Sequence, residues 1–236
     1  MMNNNLHKFI MYRVLTNIAD DYLLASTMFF KGGTCAVMLG YLDRFSVDLD
    51  FDIKKGSNKN TIDEHINKIF NKLDLKVNVK QKEKLFYTVK YKTKENLQST
   101  LKVSVSDELC ESNVYKPYKF DKIDRTLICQ DLPTMFANKL VAPLDRFKKK
   151  KIVAGRDIFD IHEFFISEYP INNAVIKERT GLEFKAYIKK LITFIEKNVT
   201  EKTIDQDLNY LLDYEKFNKI RKVLKQETLL FLRNCI

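Results

Sequence analysis

The sequence is poor in the residues that build zinc sites and has no apolar run long enough to cross a membrane. Its 236 residues include only four cysteines and three histidines, which lie far apart and in no metal-ligand spacing. A zinc site is therefore not expected, and we interpret the cysteines as buried thiols of a reducing cytoplasm. No apolar run approaches the ~18 residues that a membrane span requires. We therefore expect a cytoplasmic globular protein with no membrane partner.

The composition carries an excess of positive charge. Lys and Arg number 41 against 31 Asp and Glu, a formal net charge of +10, and 45% of the residues are hydrophobic. The length suits one large domain or two small ones, with enough apolar material for a core. An excess of this size favours polyanionic partners, of which nucleic acid is the commonest. The alternative is a lysine-rich surface without a binding role, because net charge concerns association rather than chemistry.

One segment alternates acidic and apolar residues, and it is the most informative feature of the chain. Within residues 44–53, apolar side chains separate four polar ones: Ser46, Asp48, Asp50 and Asp52. Because strand side chains have a period of two, the carboxylates point to one face. Crowded anions are costly without a cation between them, and Mg²⁺ takes carboxylate oxygens while sharing its other positions with water and phosphate. Asp48 and Asp50 are therefore candidate metal ligands.

A glycine turn lies upstream of the acidic segment. The short apolar run 28–31 predicts a buried strand, and it ends in the turn Lys31-Gly32-Gly33-Thr34. Glycines let backbone N–H groups approach an anion closely. The helix predicted over 34–42 would add the unpaired N–H groups of its first turn. The turn and the acidic strand together predict a metal-nucleotide site.

The first half of the chain mixes helix and strand patterns. Helices are predicted over 6–25 and 61–73. Alternating stretches near 75–79, 85–91 and 101–105 predict antiparallel strands that are covered on one face. The surroundings of the proline at position 117 indicate a loop or an edge strand. This half predicts an α/β domain over residues 1–125.

The second half changes to helical patterns after Asp131. Helices are predicted over 132–146, 156–168 and 184–195, and the lysine-rich stretch 147–155 is predicted to be an exposed connection. We expect an α+β protein in which a helical domain over 126–236 completes the active-site cleft.

Three segments resemble, in order and spacing, the motifs of AbiEii-type nucleotidyltransferases. The first joins Lys31-Gly32-Gly33-Thr34 to Arg44-Phe45-Ser46-Val47-Asp48-Leu49-Asp50-Phe51. The second, Leu132-Pro133-Thr134-Met135-Phe136-Ala137-Asn138-Lys139-Leu140, matches a helix that carries a lysine in the family. The third, Gly155-Arg156-Asp157-Ile158-Phe159-Asp160-Ile161, matches an Arg-Asp-x-x-Asp helix start. The resemblance implies a nucleotidyltransferase-type mixed sheet domain followed by an α-helical domain.

The family contains toxins of abortive-infection and type IV toxin–antitoxin systems. The resemblance therefore implies transfer of a nucleotide from an NTP to an acceptor, with Mg²⁺ or alternatively Mn²⁺ as the cofactor. The implied acceptor is RNA, including a tRNA 3′ end, and the implied partner is a cognate antitoxin protein. Two alternatives stay open: a non-catalytic NTP- or RNA-binding module, and nucleotidyl transfer to a protein or a small molecule.

The resemblance also implies roles for single residues. Asp48 and Asp50 would be catalytic and would hold the metal ion. The nucleotide-binding set comprises the turn and its neighbours, with phosphate contacts through backbone N–H and hydroxyl groups: Lys31, Gly32, Gly33, Thr34, Arg44, Ser46 and Lys139. For Lys31, Arg44 and Ser46 the alternative is a plain surface role.

Lys139 and Asp157 complete the predicted catalytic set. Lys139 lies in an otherwise apolar helix, where a buried lysine needs a partner, either the triphosphate or Asp157; the alternative is a side chain that reaches solvent. Asp157 would be the general base or would pair with Lys139. The wider superfamily often has a third carboxylate on a neighbouring strand, where this chain has Ser104, so we expect one Mg²⁺ ion. Asp52 and Asp107 are the alternative sources of the missing oxygen.

A run of cations follows the second motif. Residues 146–151 combine one arginine and four lysines with the ring of Phe147. The cations suit phosphates and the ring suits base stacking, which predicts an RNA contact. The alternative is a solvated lysine loop, which is what charge runs usually are.

Overall fold

Alternating apolar residues build a single mixed sheet. The computed structural model describes residues 4–81, 85–92 and 100–236, so parts of the predicted 1–125 domain at 1–3, 82–84 and 93–99 lie outside the described residues. The strand bounds are Met28–Lys31 (β1), Asp48–Ile53 (β2), Lys76–Gln81 (β3), Phe86–Lys90 (β4), Thr100–Ser106 (β5), Tyr115–Phe120 (β6) and Arg125–Gln130 (β7). Among these described residues the strands form one seven-stranded sheet in the order β3-β4-β5-β2-β1-β7-β6.

The sheet contains both antiparallel and parallel pairs. β3, β4 and β5 are antiparallel neighbours, as their alternating sequences predict. β2 lies parallel to β5 and antiparallel to β1, and β1 is parallel to β7. The interleaved apolar residues of β2 are buried, among them Leu49 and Phe51. The proline-containing β6 lies at an edge of the sheet, where a residue without an N–H donor is tolerated.

Four helices accompany the sheet in the chain. They are Asn4–Asp20 (α1), Tyr22–Thr27 (α2), Gly32–Met38 (α3) and Lys59–Lys72 (α4). The single helix predicted over 6–25 is therefore two helices. The break has a local cause, because the Asp21 carboxylate accepts a hydrogen bond from the backbone N–H of Leu24 at 3.0 Å and starts a new helix.

The chain after Asp131 is helical throughout its regular elements. The helices are Leu132–Lys150 (α5), Gly155–Ile166 (α6), Asn173–Thr180 (α7), Phe184–Asn198 (α8), Glu201–Leu208 (α9), Tyr214–Ile220 (α10) and Leu224–Arg233 (α11). The helix predicted to end at Arg146 continues to Lys150, so this predicted end is wrong, whereas Lys148, Lys149 and Lys150 are exposed as predicted. Three lysines occupy its last turn, where cations interact favourably with the helix dipole, and Lys151 ends it with φ +57°.

The chain divides into two compact units. Among the described residues, the first unit contains those up to Leu39, those from Ser46 to Leu109 and those from Tyr115 to Gln130. The second contains Gly40–Phe45, Cys110–Val114 and Asp131–Ile236. The predicted boundary at 125/126 stays a prediction. The α+β class, with a mixed sheet followed by helices, is confirmed. In the described part of the chain, each helix is too short or too polar to traverse a lipid bilayer.

Candidate active site

The acidic face of β2 is the centre of the predicted site in the first unit. Because side chains alternate along the strand, Asp48, Asp50 and Asp52 lie on the face opposite the buried Leu49 and Phe51. The three carboxylates differ in access. Asp48 and Asp50 are half-buried, whereas only 1% of Asp52 is exposed. A ligand at this face can therefore contact Asp48 and Asp50 but not the enclosed Asp52.

Asp52 is held by three donors within the first unit. Its carboxylate accepts hydrogen bonds from Lys31 Nζ at 2.6 Å, the Tyr115 hydroxyl at 2.8 Å and Gln130 Nε2 at 3.0 Å. The predicted nucleotide-binding residue Lys31 is therefore the counterion of Asp52. A buried carboxylate is stable only when it is paired and hydrogen-bonded in this way.

Gly32 brings the turn against Asp50. Gly32 begins α3 directly after β1, and the antiparallel pairing of β1 with β2 places Lys31 opposite Asp50. A Cβ atom at position 32 would lie 2.8 Å from Asp50 Oδ2, and the backbone has φ +82°. Both features favour glycine. Gly33 follows as the second residue of the helix.

Thr34 and Ser46 lie together at the start of the acidic strand. Thr34 is buried, and its hydroxyl lies 2.9 Å from Ser46 Oγ and donates to the backbone carbonyl oxygen of Asp48. The two side chains therefore anchor the chain just before the metal-ligand candidates. The predicted phosphate contacts of Gly33, Thr34 and Ser46 stay predictions.

The neighbouring strand β5 contributes two side chains to the same face. Its parallel register with β2 places Lys102 beside Asp48 and Ser104 beside Asp50. The register therefore places Ser104, the residue predicted to stand in place of a third carboxylate, beside Asp50. Lys102 is exposed and was missed by sequence reasoning. Asp107, one of the alternative carboxylates, instead forms an ion pair with Lys59.

The second unit contains a buried cluster around Asp160. Arg44 donates to both oxygens of this carboxylate, from Nε at 2.6 Å and from Nη2 at 2.8 Å. Lys139 Nζ donates to Asp160 Oδ2 at 2.6 Å. Burial by itself would raise the pKa of Asp160, but Arg44 and Lys139 outweigh it and lower the pKa to about 2. The carboxylate is therefore charged throughout the physiological range.

Asp157 pairs with a residue other than Lys139, the partner that was considered for it. It is buried in the first turn of α6, and its two oxygens accept from Arg146 Nε at 2.7 Å and Nη2 at 3.1 Å. Lys139 pairs with Asp160 and not with Asp157. The general-base role of Asp157 stays a prediction.

The ion pairs follow the spacing of residues on two packed helices. On α5, Lys139 and Arg146 are seven residues apart, and on α6 Asp157 and Asp160 are three apart, so each pair lies on one helix face. Gly155 lets α9 pack tightly against the start of α6, because a Cβ atom there would lie 2.7 Å from Ile204 Cα. Asp160 was not among the predicted site residues and Arg146 was predicted only as part of the cationic run 146–151, although this spacing was available as a signal.

The fold has solved counterparts among nucleotidyltransferases. A crystal structure from H. pylori, described as a nucleotidyltransferase, has 24% identity and a TM-score of 0.59, covering 100% of this chain and 99% of that one. JHP933 from Helicobacter pylori has 22% identity and a TM-score of 0.54, covering 99% and 95%. MenT4, a nucleotidyltransferase toxin from Mycobacterium tuberculosis H37Rv, has 13% identity and a TM-score of 0.56, covering 98% and 84%. These likenesses define the fold class as that of the nucleotidyltransferases.

The sequence assigns the family. The family model described as the nucleotidyl transferase AbiEii toxin of type IV toxin–antitoxin systems matches residues 13–229. The chain therefore belongs to the AbiEii nucleotidyltransferase toxin family, as its three motifs predicted. A search of curated proteins found no match.

Proposed function

We propose that this chain is a Mg²⁺-dependent nucleotidyltransferase that moves an NMP from an NTP to RNA with release of pyrophosphate, and that it acts as the toxin of a toxin–antitoxin pair. The observation that carries the proposal is the pair of reachable carboxylates, Asp48 and Asp50, on one face of β2 with the Gly32 turn against Asp50. Two carboxylates, with the backbone of Gly32 within contact distance of one of them, suit a metal ion that is bound to a phosphate chain.

The residues of this face fit a hard divalent cation. Asp48 and Asp50 offer carboxylate oxygens, and the described residues contain no group of three or more Asp, Glu, His or Cys side chains that could hold a metal. Mg²⁺ suits such a site because it keeps several waters and shares its ligands with substrate phosphates, and Mn²⁺ is the alternative. When bound, the ion neutralises charge on the phosphates and orients them.

The nucleotide contacts are assigned to the turn and to Lys102. The backbone N–H groups of Gly32, Gly33 and Thr34 open α3 next to Asp50, where an anion would be favoured. Lys31 contributes indirectly, because its ammonium neutralises Asp52. Lys102 is exposed beside Asp48, and in the described part of the chain no ion pair of its ammonium is found. It can therefore contribute a positive charge to a bound triphosphate.

Lys139 is the phosphate-binding cation that we assign to the second unit. Arg44 alone balances the charge of Asp160 and bonds to both of its oxygens. Lys139 therefore adds one positive charge to a carboxylate that is already neutralised, and 15% of its side chain is exposed. Its ammonium has two further N–H groups for phosphate oxygens. Arg44 by contrast is buried, and its proposed role is to hold Asp160.

RNA is the acceptor that the charge distribution favours, and a tRNA 3′ end is one such acceptor. The net charge is +10, and the last turn of α5 carries the exposed residues Lys148, Lys149 and Lys150. Clustered cations bind a phosphate backbone largely without regard to sequence.

Asp157 is assigned as the group that accepts the proton of the attacking hydroxyl. The toxin family supplies the last part of the proposal, which is a cognate antitoxin protein as partner.

A transfer assay tests the proposal. The purified chain is incubated with each α-³²P-labelled NTP, Mg²⁺ and total RNA, and the label is followed into RNA, protein and small molecules. We compare wild type with Asp48→Asn and with Asp121→Asn, a matched control at an exposed carboxylate of the same unit. Label on RNA from wild type and the control, with loss of at least about 100-fold in Asp48→Asn, supports the proposal.

Each other outcome identifies a different function. Label on protein or on a small molecule would show that this molecule, and not RNA, is the acceptor. Tight RNA binding without transfer of any label would make the chain a binding module and contradict the catalytic proposal. Equal transfer by wild type and Asp48→Asn would refute the role of the acidic strand.

A further inference from the structure

The three carboxylates on the β2 face differ in access: Asp48 and Asp50 are half-buried, whereas Asp52 is enclosed. Asp52 is 1% exposed and accepts hydrogen bonds from Lys31, Tyr115 and Gln130. Its charge is balanced by Lys31, and three donors at 2.6–3.0 Å occupy its oxygens. Coordination of a metal by Asp52 would require these bonds to break inside the protein, which is unfavourable.

The neighbouring strand β5 has no acidic residue at the two positions in register with Asp48 and Asp50. Neighbouring strands lie about 4.8 Å apart, and residues in register project to the same face. Ser104 is in register with Asp50, and Lys102 is in register with Asp48. A hydroxyl therefore stands where a carboxylate would share an ion with Asp50, and an ammonium adds positive charge beside Asp48.

The remaining alternative acid is also engaged. Asp107 follows β5 and forms an ion pair with Lys59, which lowers the pKa of Asp107 through their hydrogen bond. The face thus offers two carboxylates and one ammonium. Two divalent cations about 3.5–4 Å apart repel one another strongly, and beside the phosphates of the nucleotide only these two carboxylates would offset the repulsion.

We propose that this site binds one divalent cation per nucleotide, and that Ser104 is the residue that sets this number. The inference rests on the proposed function, in which Asp48 and Asp50 hold the ion. It extends that function by naming a residue that determines metal stoichiometry. A carboxylate at position 104 would supply the missing anionic ligand next to Asp50.

Equilibrium dialysis with Mn²⁺ tests the inference without reference to activity. The full chain is dialysed against Mn²⁺ and a saturating mixture of the four α,β-methylene nucleoside triphosphates, and bound Mn²⁺ is divided by bound nucleotide. The variants are Ser104→Asp and Ser106→Asp. Ser106 is a matched control because it lies on the same face of the same strand, in register with the neutralised Asp52. Thermal melts establish that each variant is folded, and Ser104→Glu is the second variant for position 104.

The expected ratios are one for wild type, two for Ser104→Asp and one for Ser106→Asp. A ratio of two in wild type, or of one in folded Ser104→Asp and Ser104→Glu, would overturn the inference while leaving the proposed function intact. The double variant Asp48→Asn/Asp50→Asn separates the two proposals. If it binds Mn²⁺ with nucleotide as wild type does, the metal assignment of the proposed function is itself wrong.

Discussion

A Cβ atom on Gly32 would lie 2.8 Å from Oδ2 of Asp50, so the turn can lie against the acidic strand only because position 32 has no side chain. Gly32 also has φ +82°, a region that costs other L-residues about 1–2 kcal/mol. Gly56 has a similar φ of +81°, but nothing lies within 4 Å of its Cβ position. Comparing substitutions at Gly32 and Gly56 therefore separates the effect of backbone strain from the effect of contact with Asp50.

Gly32→Ala is expected to weaken Mn²⁺ binding and nucleotide transfer, whereas Gly56→Ala is not. Both substitutions should lower the free energy of unfolding by about 1–2 kcal/mol through the backbone, and Gly32→Ala should lower it further because Asp50 must move. Urea unfolding, Mn²⁺ dialysis and the transfer assay provide the measurements. Equal effects of the two substitutions on transfer would contradict the contact with Asp50.

Asp160→Asn should be among the most destabilising polar substitutions in the chain. The change leaves the buried Arg44 guanidinium and the Lys139 ammonium without their counterion, and breaking a buried ion pair costs about 3–5 kcal/mol. Urea unfolding at pH 7 measures the loss. Asp145→Asn is a suitable control, because Asp145 is partly exposed where it pairs with Arg179. A loss no larger than that of the control would contradict the burial of the cluster.

The stabilisation by Asp160 should depend on pH in one direction. Its pKa is lowered from 3.8 to about 2 in the folded chain, so its contribution is complete above about pH 4 and disappears as the pH falls toward 2. The difference in unfolding free energy between wild type and Asp160→Asn should therefore be constant from pH 7 to 5 and narrow below 3.8. A difference that narrows near neutral pH would mean that another group titrates in the cluster.

Lys139→Met and Arg44→Met should have opposite main effects. Arg44 satisfies both oxygens of Asp160, so its loss should reduce stability more than the loss of Lys139. Lys139→Met should instead reduce transfer by about 10²–10³, the usual effect of removing a group that stabilises developing charge. Urea unfolding and kinetics on both variants give the comparison. If Lys139→Met lost stability and kept its transfer rate, Lys139 would be a structural residue.

The lysines at the end of α5 should contribute to RNA affinity. Changing Lys148, Lys149 and Lys150 together to Gln is expected to weaken tRNA binding and to reduce the slope of log K against log salt by up to about 2.7, because each phosphate contact adds about 0.7–0.9. Fluorescence anisotropy at several salt concentrations measures both quantities. The matched control is the triple Gln variant of the exposed lysines of the first unit, Lys116, Lys119 and Lys122. Equal losses in the two triple variants would indicate a net-charge effect only.

Local patterns in the sequence predicted much of the fold. The strand over 28–31 was predicted with the bounds that the structure has, because an apolar run that meets two glycines has an unambiguous end. The acidic strand, with its carboxylates on one face, follows from the period of two. By contrast, the break at Asp21 was missed because capping depends on the conformation of one residue, which the apolar periodicity of the flanking helices does not report.

Contacts between distant segments could not be predicted in the same way. Lys102 is a site residue only because β5 lies beside β2 in one register, and the two strands are separated by β3 and β4 in the chain. Arg44 and Asp160 are 116 residues apart. Likewise, choosing Asp160 over Asp157 as the partner of Lys139 requires the rotation of α6 against α5, and helical spacing alone does not give this.

The interleaving of the two units along the chain limits how the protein can be dissected. Gly40–Phe45 and Cys110–Val114 belong to the helical unit, although sheet residues flank them on both sides. A fragment beginning at Asp131 would therefore lack Arg44, whose guanidinium neutralises the buried carboxylate of Asp160, and would lose the bond from the Phe45 N–H to Leu211. Split-protein reporters and isolated helical fragments should consequently fail where the intact polypeptide folds.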